Sequence, residues 1–113
     1  MPDRGGAALA VLAPLAATDP NNVEGQHDLA FVHEQMGRAQ MLLHRLDEAE
    51  QSLLHALAIR RRLMAADANN REDRRGVGSL HGMLSALYRE KGDAVRAAQM
   101  ARMGKEELAA LRR

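Results

Sequence analysis

His33-Glu34-Gln35-Met36-Gly37 opens as a helical zinc-hydrolase motif does, with a histidine followed by a glutamate. That chemistry needs a second histidine four residues after the first, so that two imidazoles reach one metal from adjacent turns. Position 37 is glycine, and the pair is incomplete. Glu24-x-x-His27 matches half of a di-iron helix motif, which requires two such pairs and two further carboxylates. His44 and Glu48, or His55 and Glu48, share a helix face at their spacing and read as solvated neighbours.

Two basic clusters, Arg60-Arg61-Arg62 and Arg71 to Arg75, have the charge a nucleic acid would need. Glu72 and Asp73 interrupt the second, and Phe31 and Tyr88 are the only aromatics that could stack on bases. Sixteen basic residues against fifteen acidic ones leave no global field for nucleic acid or an anionic membrane. The clusters are therefore expected to be a solvated face that complements the helix dipole. With no cysteine, disulfides, thiol nucleophiles and thiolate metal sites are excluded. No Gly-rich phosphate loop or Ser-His-Asp order is present. The expectation is a chain that is not an enzyme, with no catalytic residues, no cofactor and no metal.

The elements beneath these residues are helices. Ala, Leu, Met, Arg, Glu and Gln are strong helix formers, β-branched and aromatic residues are scarce, and no alternating run predicts a strand. The class is all-α. A shift of 48 residues brings Ala8-Leu9-Ala10-Val11 onto Ala56-Leu57-Ala58-Ile59, Asp19 onto Asp67, Asn21-Asn22 onto Asn69-Asn70, and His33 onto His81. Over residues 8–24, nine of seventeen positions are identical without a gap, which marks an internal repeat.

One unit reads as two helices. Asp19-Pro20-Asn21-Asn22 is a turn whose side chains cap a helix over about residues 22–43. A tight turn at His44-Arg45-Leu46 leads to a second helix, acidic at its start and basic near its end. Asp67-Ala68-Asn69-Asn70 repeats the punctuation before a third helix over about 70–91. Gly92-Asp93 turns the chain into a last helix over about 94–111. The organisation is a partial N-terminal repeat over 1–20 with an orphan second helix, one hairpin over 21–67 and another over 68–113. The apolar run Ala7 to Ala17 superficially suits a secretory signal, but Asp3 cancels Arg4, Pro14 interrupts it and eleven residues cannot span a bilayer. It reads better as the tail of a preceding helix, and a cytoplasmic location is the expectation.

Leu84-Ser85-Ala86-Leu87-Tyr88, then Gly92-Asp93 and Ala97, resembles the tetratricopeptide repeat signature. Met36-Gly37, Ala49 and Ala56-Leu57 supply its Leu-small, Ala and Ala-Leu positions in the preceding unit. The chain departs from it at Gln40, where Tyr is usual, at His44-Arg45, where Gly-Asp is usual, and at Gly104, where Ala is expected. The 48-residue period exceeds the usual 34 and is similar to a long-period bacterial variety, often appended to serine/threonine kinases. The resemblance implies tandem antiparallel hairpins stacked as a short right-handed solenoid of about five helices. It also implies packing roles for His33, Met36, Gly37, Ala49, Ala56, His81, Leu84, Tyr88, Gly92 and Ala97. The small residues Gly37 and Ala49 would let two helices approach closely.

In such a solenoid the first helix of each pair lines a concave side. The stripe there is His27, Phe31, Glu34, Arg38 and Met41, and in the next repeat Arg75, Ser79, Gly82, Ala86 and Arg89. Arg38, Arg75 and Arg89 suit a carboxylate, because a guanidinium is a planar fork of donors. The expected function is a non-catalytic module that binds a protein or peptide in this groove, without nucleic acid or membrane. The alternatives are a C-terminal structural fragment of a larger bacterial signalling protein, and a self-associating fragment that dimerises through its N-terminal helix.

Overall fold

Asn22 and Asn70 start their helices in the same way. In the computed structural model, which describes residues 21–112, both sit at nearly the same backbone angles (φ −75°, ψ 91° and φ −77°, ψ 92°). Each side-chain Oδ1 accepts a hydrogen bond from the backbone N–H three residues on, Gly25 and Asp73, at 3.0 Å. An Asn cap satisfies one of the orphan donors of the first turn, and both helices begin where the sequence places the cap.

The helices are α1 (Val23–Leu42), α2 (Leu46–Ala66), α3 (Arg71–Glu90) and α4 (Ala94–Ala110). The fold is all-α, with four helices and no strand among the described residues, against about five helices expected. The helix expected over 5–17, the partial repeat 1–20 and the dimer contact assigned to it lie outside the described residues. α1 and α3 start and end 48 positions apart, and α2 and α4 start 48 positions apart. The period of the sequence is thus carried by the backbone.

The turns repeat bond for bond. Arg45 N–H donates to the Gln40 carbonyl and Asp93 N–H to the Tyr88 carbonyl, both at 2.8 Å. Leu43 donates to Ala39 and Lys91 to Leu87 in the same manner. Such a stop needs one left-handed residue, and Gly92 supplies it at φ +82°. His44 takes the same place at φ +56°, so the departure from Gly-Asp leaves the turn unchanged in type. A left-handed L-residue costs roughly 1–2 kcal/mol. His44→Gly is accordingly expected to raise the stability by about 1 kcal/mol. A urea midpoint that stays where it is in the wild type would refute this.

The chain divides into two compact units between Ile59 and Arg60, inside α2. In the first unit α1 and the first part of α2 form an antiparallel hairpin. A Cβ added at Gly37 would lie 2.6 Å from a Leu53 methyl, so the glycine is the room that Leu53 fills. The amide of Gln40 and the hydroxyl of Ser52 hydrogen-bond at 2.7 Å near the turn. Ala30, Ala49, Leu53, Ala56 and Leu57 are buried in this unit.

In the second unit α3 packs along α4. Val77, Leu80, Leu84, Leu87, Tyr88 and Ala97 form its apolar core. Ser85 stands where the first unit has Gly37, and its hydroxyl donates to the Ala97 carbonyl at 2.7 Å. The departure at Gly104 has a steric cause. A Cβ there would lie 3.1 Å from the Gly78 carbonyl oxygen and 3.3 Å from Cβ of His81. Gly78 and Gly104 stand where the first unit has Ala30 and Ala56, and they let α3 and α4 approach backbone to backbone.

Candidate functional site

Helix periodicity separates each first helix into a packed side and an open side. On α1 the packed side is Gln26, Ala30, His33, Glu34 and Gly37. Three or four residues apart on the other side, Phe31 is 56% exposed and Arg38 is exposed, with His27 and Met41 half-buried beside them. Glu34 does not share that exposure: it is 9% exposed and falls with the packed residues. On α3, Arg75, Ser79, Gly82 and Arg89 are exposed and Ala86 is half-buried.

Of the residues assigned to packing, His33, Gly37, Ala49, Ala56, His81, Leu84, Tyr88 and Ala97 are buried. Met36 is half-buried, and Gly92 lies exposed in its turn. The guanidinium of Arg96, held by Asp93 at 3.4 Å, covers the Tyr88 ring at 5.5 Å from its centroid.

Three glycines interrupt α3, and two have a steric explanation. A Cβ at Gly76 would lie 2.5 Å from the Arg60 side chain, and one at Gly78 would lie 2.9 Å from Leu108. Among the described residues, a Cβ at Gly82 would meet nothing within 4 Å. An exposed helical glycine costs about 1 kcal/mol relative to alanine, and nothing in the packing of this unit offsets that cost.

The arginine clusters depart from the expected solvated face. α2 continues to Ala66, so Arg60 precedes the last turn and turns inward instead of reaching the helix end. Its Nη1 donates to Oδ1 of Asp73 at 3.0 Å, with Arg60 8% and Asp73 0% exposed. The other carboxylate oxygen accepts from the Asn70 side-chain amide, so Asp73 ties the helix cap to the ion pair. Arg61 hydrogen-bonds Nε2 of His81 at 2.9 Å. Arg74 pairs with Glu107 at 3.0 Å, and Arg71 donates to the Leu111 carbonyl at 2.6 Å. Arg71 and Arg74 also line a cleft of about 560 Å³ with Ala68, Asn69, Ala110 and Leu111, where both cations already have protein partners.

The histidines are divided between helices. His33 packs edge-on against His55 with ring centroids 5.0 Å apart, and His81 lies against Arg61. Burial lowers the pKa of both, helped by the charge of His55 at His33 and of Arg61 at His81. Glu107 and the Val77 carbonyl pull His81 the other way. Among the described residues no group of three or more His, Asp or Glu side chains converges as metal ligands would. Glu48, considered as a neighbour of His44 and His55, lies 4.0 Å from Arg45. No described helix is long and apolar enough to cross a membrane.

Sequence reasoning missed the Arg60–Asp73 pair and the tie between Arg61 and His81. Their signal was present: Asp73 is the third residue after the Asn70 cap, and Gly76 one turn later leaves space for a long side chain. Compared with known proteins, the chain matches no family model, no curated protein and no solved structure.

Proposed function

We propose that the chain is a non-catalytic protein-interaction module of the tetratricopeptide kind, which binds a protein or peptide through the open sides of α1 and α3. The observation that carries this reading is Gly82, an exposed glycine in mid-helix with no packing reason among the described residues, flanked by Ser79 and Ala86. A surface of small side chains lets a partner's backbone come close, and Arg75 and Arg89 at its two ends offer guanidinium forks for carboxylates. On α1, Phe31 adds an aromatic anchor and Arg38 a third cation, the residue types in which interfaces are rich. The tetratricopeptide assignment, and with it a concave groove lined by both helices, rests on the sequence resemblance.

Affinity capture from the source proteome tests this reading. Wild-type chain is expected to retain a protein that the Arg38→Glu/Arg89→Glu variant does not, at equal helicity by circular dichroism. Capture that is indifferent to both substitutions would sink the proposal.

A second reading is favoured by α4. Ala94, Val95, Ala98, Gln99 and Arg102 line a shallow groove of about 500 Å³, with Val95 exposed. That face suits another repeat or a second copy, as in a fragment of a larger solenoid. Light scattering of wild type and Val95→Glu separates this from partner binding, since only self-association loses mass in the variant.

A further inference from the structure

His33 and His81 stand 48 residues apart, on the first helix of each repeat, and both rings are buried. Among the described residues Nδ1 of each is buried without a well-formed hydrogen bond, the Val77 carbonyl being the backbone group that acts on His81. At His81 the ring's protonation state follows from its partner. A guanidinium only donates, so Nε2 must accept from Arg61 Nη2, which puts the single ring proton on Nδ1. A second proton on Nε2 would aim N–H at N–H and set one cation against another. From α4, Glu107 faces the same ring, but it is engaged by Arg74. At His33 the facing titratable group is His55 of α2, edge-on at 5.0 Å, so proton uptake by both sets two imidazolium ions together.

We propose that these two histidines make the fold acid-sensitive: proton uptake inside each unit breaks the Arg61–His81 bond and drives His33 from His55, loosening the helix packing as the pH falls below neutrality. Burial favours the neutral ring in the folded chain, so each folded pKa lies below the unfolded value of about 6.5. The unfolded chain then binds more protons between the two values. Stability contributed by the neutral rings is complete above pH ~7 and is lost as the pH falls through 6.5 towards the folded pKa. The sensitivity is placed in the packing itself, so a partner held on the outer faces would be released as the helices loosen.

Two measurements on the full chain test this. In proton NMR, the His33 and His81 imidazoles are expected to titrate below about 6.5, and those signals should vanish in His33→Gln and His81→Gln respectively. Arg61→Gln should raise the titration of His81 and leave His33 unmoved, a response that a purely structural role would not give. In thermal unfolding, the wild-type midpoint is expected to fall by about 5 °C or more between pH 7.5 and pH 5.5, and by less than half of that in the His33→Gln/His81→Gln variant. Both rings titrating at or above 6.5 would overturn the proposal. So would a wild-type midpoint that does not change with pH, which needs no variant to fold.

Discussion

Asp73→Ala is expected to destabilise the chain by about 3–5 kcal/mol, the cost of leaving a buried charge without its partner. Asp73 is fully buried, and Arg60 reaches it at 3.0 Å along a path that Gly76 leaves open. The loss extends beyond the ion pair, because the same carboxylate accepts from the Asn70 amide and so braces the start of α3. Removing both charges should be far less harmful. Arg60→Met/Asp73→Leu leaves no stranded ion and is expected to recover most of the loss, as apolar replacements of buried pairs do. Arg62→Ala, two residues on and exposed, is the control and should stay within about 0.5 kcal/mol of wild type. Urea unfolding of the four proteins checks the order. A single variant as stable as Arg62→Ala would show that the pair contributes nothing.

The second large effect is expected at Leu53, which is buried against Gly37 in the other unit. Leu53→Ala should cost about 2–5 kcal/mol through lost apolar burial and the cavity left behind. Gly37→Ala should cost about 1–3 kcal/mol for the opposite reason, since its new methyl would sit 2.6 Å from a Leu53 methyl carbon. The two together should be less harmful than their sum by more than about 0.5 kcal/mol, because Leu53→Ala vacates the space that Gly37→Ala occupies. Additive losses would mean that the two residues do not compete for one volume.

These two sites differ in how far they were legible. Gly37 could be read from the sequence because a small residue at a fixed place in a repeat has one common purpose, the close approach of helices. The caps at Asn22 and Asn70, the turns at His44 and Gly92, and the helix bounds were legible for a similar reason. Each depends on residues within four or five positions of one another. The Arg60–Asp73 pair was not legible, although both charges were noted. Whether a charge is solvated or buried depends on where α2 stops and on what stands across from it, and neither is local. Glu34 shows the same limit: its spacing groups it with Phe31 and Arg38, while a rotation of part of a turn places it among packed residues. Gly104 was visible as an exception, and its cause emerged only with Gly78 opposite it.

The stripe named on α1 and α3 followed from the resemblance and from spacing; in the structure Phe31, Arg38, Arg75, Ser79, Gly82 and Arg89 are exposed, His27, Met41 and Ala86 half-buried, and Glu34 packed. The sequence placed Gly82 in this stripe but did not show what stands over it. An exposed glycine looks like any other until its surroundings are known, and no described residue packs within 4 Å of a Cβ built on this one.

The reading of this chain as a partner-binding module is tested most directly by titration calorimetry with the captured protein. Arg38→Glu/Arg89→Glu is expected to weaken binding at least about tenfold, the equivalent of about 1.4 kcal/mol, while Val95→Glu on α4 leaves it unchanged. Unchanged affinity in the arginine variant, with loss in Val95→Glu, would contradict the assignment and place the interface on α4.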